Sequence, residues 1–268
     1  MASFPELNIR QIGDQEVDII SVVKSITKYA VCVTKPEEIK YHLDRAIYEA
    51  TTGRKGPVWI DIPLDVQGGF IEEDDLVEFN PPEKPQYDLK INDVIEHLKN
   101  AKRPVMVAGY GIRISNQIDT FKKLADMLNI PVVTTFNGVD IMEDAHPDYI
   151  GRIGTIGQRA GNFALQNSDC VLFLGTRNNI RQASYNWESY ADKAFKMIVD
   201  VDDAELKKPT VVPDLAINAD LKEFLPALIN AVPAELKNKD NSEWLTFCKN
   251  LKEKYSFENT PSYQQKDE

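Results

Sequence analysis

The sequence predicts an α/β protein in which a mostly parallel β-sheet carries helices on both faces. Three observations lead to this fold class. Short apolar runs alternate with amphipathic helical patterns along most of the chain. Several of these runs are almost continuously apolar, which is typical of parallel strands covered on both faces. A chain of 268 residues with 43% hydrophobic content is also long enough to bury one large or two modest cores.

The first helix and strand are predicted in the stretch "PEEIKYHLDRAIYEATTGRKGPVWIDIP", residues 36–63. Ile39, Leu43 and Ile47 recur at helical spacing beneath a charged face, and Gly53 follows them as the expected C-cap. After a tight turn, the run "VWIDIP" predicts a strand buried on both faces. A helix, a turn and one strand are half of a crossover unit, so this segment alone is not expected to form a complete fold.

A linker and a regular α/β domain are predicted next. Residues 68–86, "GGFIEEDDLVEFNPPEKPQ", are acidic and proline-rich without periodicity, which is typical of a linker. Residues 87–232 alternate between helical and strand patterns. The predicted helices are "INDVIEHLKNAK", "SNQIDTFKKLADMLN", "QRAGNFALQN" and "LKEFLPALINAV", and the predicted strands are "PVMVAG", "PVVTT", "CVLFLG", "FKMIVDVD" and "LAINAD". Residues 233–268 hold one more helical pattern, "SEWLTFCKNLKEKY", and are expected to be a connector.

Charge and cysteine content exclude several classes of protein. The formal net charge of −11 at pH 7 disfavours nucleic acids and anionic membranes as partners, because both select clustered Lys and Arg. Cys32, Cys170 and Cys248 are widely separated and match neither a disulfide framework nor a zinc-ligand spacing. The sequence contains no secretory signal pattern and no apolar run long enough to span a bilayer. We therefore expect a cytoplasmic protein with no nucleic-acid or membrane partner.

Several stretches follow the order of motifs of one enzyme family. They are "GRKGPVWIDIPLDVQ" at residues 53–67, "PVVTTFNGVD" at 131–140 and "DAHPDYIGRIGTIGQRAGNFALQNSDCVLFLGTR" at 144–177. Together they resemble the thiamine diphosphate-dependent enzymes of the acetolactate synthase type, over nearly the whole chain. "VDVDDAEL" is similar to that family's Asp-Ile-Asp-Pro-Ala-Glu segment, although Asp203 replaces the proline.

The resemblance implies that the chain holds parts of that family's three domains. Residues 1–67 resemble the end of the pyrimidine-binding domain, 68–86 a linker, 87–232 the whole central domain, and 233–268 a connector towards a diphosphate-binding domain. We therefore expect a non-catalytic fragment of a transferase or lyase that acts on 2-oxo acids or a related C–C bond. The resemblance also implies that the parent enzyme is a homo-oligomer and that its outer domains are partners of this chain.

Thiamine diphosphate and Mg²⁺ are implied for the parent enzyme. In the resembling family, a Gly-Asp-Gly motif and a downstream Asn hold Mg²⁺ through oxygen ligands, and this sequence contains no such motif. The family's activating glutamate belongs to the early pyrimidine domain, upstream of the matched segments. No catalytic residue and no metal ligand is therefore predicted here, and we expect the chain alone to be inactive.

Six residues are predicted to line a nucleotide crevice at the carboxyl edge of the central sheet: Gly109, Gly111, Gly154, Gly157, Arg177 and Asp200. Glycines at a strand end let backbone amides face phosphates, an arginine binds phosphate with forked donors, and a carboxylate accepts hydrogen bonds from ribose. FAD or ADP is the expected ligand, since the resembling family carries FAD, another adenine nucleotide or no ligand in this domain. Simpler roles stay open, namely turns for the glycines, a surface salt bridge for the arginine and a helix cap for an aspartate.

Two further functions stay open from the sequence. The chain could be a stand-alone module for FAD, ADP or coenzyme A, or a subunit-interaction domain without a ligand. The aromatic residues Tyr185, Trp187 and Tyr190 lie in an irregular connection and favour packing against a neighbouring domain over ligand stacking. The chain's three histidines have no partner at a catalytic spacing and are predicted to be structural.

Overall fold

The computed structural model describes residues 17–256 and 259. The chain divides into two compact units between Pro85 and Gln86. The division falls at the end of the acidic, proline-rich segment, in which Glu73–Asp75 form a single 3₁₀ turn. The described part of residues 68–86 contains no other regular element than this turn, as a linker composition predicts.

The first unit contains a small parallel sheet and three helices. The strands are β1 (Tyr29–Cys32) and β2 (Val58–Asp61), and the helices are α1 (Ile19–Val23), α2 (Ile39–Thr51) and α3 (Leu64–Gln67). The two strands pair in parallel, with Tyr29 opposite Val58. Gly53 has a φ of +59°, which is the left-handed conformation expected of a residue just past a helix.

The prediction that the strand "VWIDIP", which forms β2, is buried on both faces is wrong. None of the four β2 residues is buried, and Trp59 is 42% exposed. The apolar stripe of α2 is also incompletely covered, because Leu43 and Ile47 are exposed and only Ala46 is buried. Within the described residues, α1 and α2 are the helices that pack on this sheet, and a two-stranded sheet covers little apolar surface.

The second unit is built on a six-stranded sheet in which every neighbouring pair is parallel. The strands are β3 (Pro104–Ala108), β4 (Val132–Thr134), β5 (Tyr149–Arg152), β6 (Cys170–Leu174), β7 (Phe195–Asp200) and β8 (Leu215–Asn218). Their spatial order is β5-β4-β3-β6-β7-β8, which is the doubly wound Rossmann order. The predicted fold class is confirmed. The sequence prediction omitted β5, because "YIGR" is short and contains a glycine.

Helices cover both faces of this sheet. They are α4 (Ile91–Asn100), α5 (Gly111–Ile114), α6 (Ile118–Leu128), α7 (Arg159–Gln166), α8 (Ile180–Ala183), α9 (Asp203–Lys207), α10 (Leu221–Ala231), α11 (Ala234–Lys237) and α12 (Ser242–Lys254). Leu98, Phe121 and Phe224 belong to the core on one face, whereas Leu165 and Trp244 belong to the core on the other. Two separate apolar layers therefore hold the sheet between helices.

The helices after Val232 pack within this unit, in the region for which the sequence predicts a connector. The side chains of Leu236, Trp244 and Cys248 are buried in the two cores. The indole Nε1 of Trp244 donates a hydrogen bond of 3.0 Å to the carbonyl oxygen of Pro104, at the start of β3. The sequence boundary at residue 232 came from the end of the strand–helix alternation, which does not report on packing.

None of the described helices combines the length and the apolar content that a transmembrane span requires.

Candidate functional site

The strand order places a topological switch point between β3 and β6. The chain leaves β3 towards one side of the sheet and β6 towards the other, so their connections separate at the carboxyl edge. Gly109 directly follows β3, and Gly175 directly follows β6. In doubly wound sheets this crevice is the usual position of a ligand.

Gly109 and Gly111 bring the backbones of the two connections into contact. A Cβ atom on Gly109 would lie 2.3 Å from the carbonyl oxygen of Gly175, and one on Gly111 would lie 2.7 Å from its Cα. The amide of Gly109 donates to Leu174 O, and that of Gly111 donates to Gly175 O, both at 2.9 Å. These glycines are required for close packing at the switch point, and their amides are engaged within the protein.

Gly154 and Gly157 form the turn that follows β5. Gly154 has a φ of +108°, and a Cβ atom there would lie 2.6 Å from the carbonyl oxygen of Arg181. The amide of Gly154 donates to Asn162 Oδ1 at 2.8 Å, and the amide of Gly157 donates to Gly154 O at 3.0 Å. The turn is therefore held against the connection after β6, and its two glycine amides already have acceptors.

Arg177 lies in the β6–β7 connection and forms an ion pair with α9. Its Nε atom is 3.7 Å from Glu205 Oε1, while the Nζ atom of Lys208 is 2.8 Å from Glu205 Oε2. Lys208 also donates to the carbonyl oxygen of Arg177. The salt bridge that the sequence left open is present, between the Nε atom of Arg177 and Glu205.

Asp200 ends β7, as expected, and shapes the turn into α9. Its Oδ1 atom accepts a hydrogen bond of 2.9 Å from the amide of Asp202. Asp202 in turn accepts from the amide of Ala204 at 3.0 Å and is the N-cap of α9. The capping role that the sequence left open for an aspartate is confirmed for Asp202.

Five of the six predicted residues therefore follow the carboxyl ends of β3, β5 and β6, and Asp200 is the last residue of β7. The structure brings the β3 and β6 connections together, and it joins the β5 turn to the β6–β7 connection through Arg181. Arg177 and Asp200 lie on the β7 side of the edge. A ligand contact by any of the six stays a prediction.

The edge around β5 and β6 has an unusual charge for this protein. Residues 149–187 contain Arg152, Arg159, Arg177 and Arg181, and Asp169 is the one acidic residue among them, in a chain of net charge −11. Asp169 precedes β6 at the opposite edge of the sheet, where it accepts from the amides of residues 102 and 103. We refer to these four arginines as the basic edge; Arg177 is paired with Glu205, and positive side chains suit an anionic ligand.

Exposed apolar side chains surround the same edge. Each follows the carboxyl end of a strand from β3 to β6, and they are Tyr110, Phe136, Val139, Ile156 and Ile180. Such a mixture of apolar surface with a few positive groups is typical of sites for ligands that have both a ring system and an anionic part.

The sequence prediction missed three polar residues in the β6–β7 connection. Thr176 and Asn178 are buried, and the Thr176 hydroxyl donates to Gln182 Oε1 at 3.1 Å. The backbone amide nitrogen of Asn178 is 3.4 Å from the same hydroxyl oxygen and donates a hydrogen bond to it. Polar residues directly after the "CVLFLG" strand were the available signal, but burial cannot be deduced from their order in the chain.

The aromatic residues of this connection separate into two groups. Tyr190 is buried and packs on Phe173, and burial raises the pKa of its hydroxyl. Tyr185 and Trp187 are exposed. His97 stacks on Phe195, with ring centroids 3.7 Å apart.

The residues described here do not fit the Mg²⁺ and diphosphate of thiamine diphosphate. Within the described ranges, no three His, Cys, Asp or Glu side chains come close enough together to hold a metal ion. The sequence also lacks the Gly-Asp-Gly motif that the resemblance requires. No catalytic step is therefore assigned to this chain through that cofactor.

The strand order and the glycine contacts define a doubly wound α/β domain with a topological switch point between β3 and β6. Residues 91–228 match the sequence model of the family described as thiamine pyrophosphate enzyme, central domain. The chain belongs to this family, and its second unit contains the family's central domain.

Known relatives extend the similarity over most of the chain. A probable acetolactate synthase large subunit of Methanocaldococcus jannaschii is 34% identical over 246 residues, which cover 89% of this chain and 41% of the relative. Acetolactate synthase isozyme 1 large subunit of Escherichia coli K12 is also 34% identical, over 90% of this chain and 42% of the relative. Glyoxylate carboligase of Escherichia coli O157:H7 is 30% identical over 96% of this chain and 45% of its own length. The chain thus spans less than half the length of these relatives.

Proposed function

We propose that this chain supplies the central domain of a thiamine diphosphate-dependent enzyme that makes or breaks a C–C bond of a 2-oxo acid, and that the crevice of this domain binds an adenine nucleotide such as FAD or ADP. The basic edge carries the second part of the proposal, because four arginines and one acidic residue in residues 149–187 contrast with the acidic remainder. The first part is supported by the relatives, because two of them are named acetolactate synthase large subunits and one is named a glyoxylate carboligase.

The arginines, rather than the glycine amides, are the proposed phosphate ligands. All four glycine amides of the predicted crevice donate to acceptors of the protein, as described above. The guanidinium of Arg177 is anchored through Nε, and the backbone of Arg181 holds the β5 turn. An arginine fork binds phosphate oxygens in pairs. The apolar side chains at the edge would cover the base or the flavin ring.

Calorimetric titration with ADP, FAD and coenzyme A tests the nucleotide site. We expect ADP to bind, and we expect Arg177→Gln and Arg181→Gln each to weaken it by about fivefold to tenfold, the loss of one charge-assisted contact. Arg103→Gln is the matched control, since this arginine lies at the amino edge and donates to Asn167 O. Equal weakening by the control, or no heat from any ligand in folded protein, contradicts the proposal.

A ligand-free interaction domain is the second candidate. The engagement of all four glycine amides within the protein favours it, because backbone amides that already donate to carbonyls are poor anion ligands. In that case, the arginines and the exposed aromatic residues Tyr185 and Trp187 would contact another domain. Absence of nucleotide binding, together with a complex formed between this chain and a second polypeptide of the enzyme, would favour it.

The remaining assignments concern the parent enzyme. We propose that residues 1–67 end its pyrimidine-binding domain, that 68–86 are a linker, that 87–232 are the central domain, and that 233–268 lead towards a diphosphate-binding domain. We also propose that the enzyme is a cytoplasmic homo-oligomer that requires Mg²⁺. Pyruvate consumption with thiamine diphosphate and Mg²⁺ tests this: the 268-residue polypeptide should be inactive and a polypeptide with both outer domains active. Turnover of pyruvate by the 268-residue polypeptide alone would refute the proposal that catalysis requires the outer domains.

A further inference from the structure

Residues 178–191 of the β6–β7 connection, called the strap below, contain most of the unpaired buried polar atoms. In the described part of the chain, four buried side-chain atoms have no hydrogen-bond partner, and three of them belong to the strap. They are Asn178 Oδ1, Gln182 Nε2 and the Tyr190 hydroxyl. Native proteins pair nearly all such atoms, so the packed strap is destabilised at three separate positions.

The backbone of the strap is strained as well. Asn178, Ser184 and Ala191 have φ values of +41°, +59° and +48°, and they are three of the six described non-glycine residues with a positive φ. Asparagine adopts this conformation readily, whereas Ser184 combines it with a ψ of −160°, a region essentially restricted to glycine. Such violations gather where a protein binds or changes conformation, rather than in static packing.

Gln166 in α7 anchors the end of the strap. Its carboxamide donates to the carbonyl oxygen of Ser189 at 2.9 Å and accepts from the amide of Ala191 at 2.6 Å. Residues 184–189 are exposed to solvent. Detaching the strap therefore uncovers little apolar surface beyond the Tyr190 ring and two alanines, and it lets water pair the buried polar atoms.

The strap also supplies the acceptor for the turn after β5. The carbonyl oxygen of Arg181 accepts from the amide of Thr155 at 2.8 Å and from its hydroxyl at 3.1 Å. A Cβ atom on Gly154 would lie 2.6 Å from the same oxygen. The amide of Gly154 is held differently, because it donates to Asn162 Oδ1 in α7. Detaching the strap thus removes the acceptor of Thr155 and leaves that of Gly154 in place.

We propose that the strap opens as one unit while the six-stranded sheet stays folded, and that its opening releases the turn after β5. The strap is then a two-state element, which Gln166 holds closed and which its own strain and unpaired atoms destabilise. The β5 turn responds because the carbonyl group of Arg181 connects the two loops. This inference does not depend on the proposed nucleotide site.

Residue-resolved hydrogen exchange of the folded chain, followed by NMR at low urea concentrations, tests the opening. We expect the amides of Ser184, Tyr190 and Thr155 to exchange with one common free energy of opening, well below that of the β6 amides and nearly independent of urea. The amide of Gly154 should stay protected, because its acceptor lies in α7. Exchange of these three amides only together with β6 would overturn the inference, and so would unrelated values for Thr155 and Ser184.

Variants at the strap test what holds it closed and what opposes closure. Ser184→Gly removes backbone strain and Tyr190→Phe removes an unpaired hydroxyl, so each should slow exchange of the Thr155 amide by about fivefold. Gln166→Ala removes the anchor and should accelerate it by about tenfold. Asn116→Gly is the matched control, because Asn116 has a φ of +60° outside the strap, and it should leave the Thr155 rate within about twofold.

A core variant tests whether the sheet stays folded when the strap opens. Ile217 is fully buried in the core on the opposite face from Tyr190. Ile217→Val should therefore accelerate exchange of the β6 amides by about fivefold and leave that of Thr155 within about twofold. Equal acceleration of both would overturn the inference, since Thr155 would then exchange by global unfolding. An unchanged Thr155 rate in both Ser184→Gly and Tyr190→Phe would overturn it as well, because the closed strap would then not be destabilised.

Discussion

Glu205 Oε1 lies 3.7 Å from Arg177 Nε, and this contact ties the connection after β6 to the helix after β7. The Glu205 side chain is only 15% exposed and also pairs with Lys208. We expect Glu205→Gln to lower the free energy of unfolding by about 1–2 kcal/mol, because two cations lose a half-buried anionic partner.

The control for this change lies on the same helix. Asp203 pairs with Lys207, but its side chain is 53% exposed, so Asp203→Asn should change the free energy of unfolding by less than about 0.5 kcal/mol. Urea denaturation of the three proteins measures both values. An equal effect of the two substitutions on the free energy of unfolding would contradict the prediction that the Glu205 contact stabilises the protein more than an exposed ion pair.

Gly109→Ala should destabilise the protein strongly. Its Cβ would lie 2.3 Å from the carbonyl oxygen of Gly175, and backbone cannot move aside as a flexible side chain can. We expect a loss of about 2 kcal/mol or more in the free energy of unfolding, typical of a severe steric clash in a packed region. At Gly68 the nearest atom would be 3.6 Å away, so Gly68→Ala should be nearly neutral. A folded, equally stable Gly109→Ala protein would contradict the close approach.

Two buried thiols should make stability fall at high pH. Burial raises the pKa of Cys170 and Cys248 from 9.0 to about 12. The folded state thus retains protons that the unfolded state releases, so stability is full below pH 9 and decreases as the pH rises towards 12. Between pH 8 and 10, each thiol should contribute a loss of roughly 1 kcal/mol.

The thiol prediction is measured by urea denaturation at pH 8 and pH 10. A protein with Cys170→Ala and Cys248→Ala should lose this part of the pH dependence, although its stability at pH 8 will be lower because of the cavities. Cys32 is less buried, and its pKa is also raised, by burial and by the nearby Asp61, so Cys32→Ala should remove a smaller part of the pH dependence. An unchanged pH dependence in the double variant would refute the prediction.

A chain that stops at residue 232 should lose the stability of its second unit. It lacks the buried side chains of Leu236, Trp244 and Cys248, as well as the hydrogen bond from Trp244 to Pro104 O. We expect limited proteolysis to degrade residues 86–232 much faster than in the full chain, and we expect the cooperative thermal transition to weaken or disappear. Stopping after residue 259 is the control. Equal protease resistance of the shortened and full chains would show that the second unit does not need residues 233–268 for its stability.

The sequence predicted most strands of the central sheet because their apolar runs are local signals. "PVMVAG", "CVLFLG" and "FKMIVDVD" became β3, β6 and β7, and the helical pattern "INDVIEHLKNAK" became α4. Such runs reveal that a segment must be buried, but not where. Trp59 shows this limit, since a strand of the right composition is only partly covered within the described first unit.

The sequence by itself determined the family, the parallel α/β class and the edge at which the candidate residues gather, because strand direction places every strand end on one side of the sheet. Only the tertiary structure decided which of these residues have free groups. The amide of Gly109 donates to Leu174 O in β6 and that of Gly154 donates to Asn162 Oδ1 in α7, whereas Asn178 Oδ1 and Gln182 Nε2 are buried without a partner in the described part of the chain. Hydrogen-bond satisfaction depends on contacts between segments far apart in the chain, and motif spacing contains no information about them.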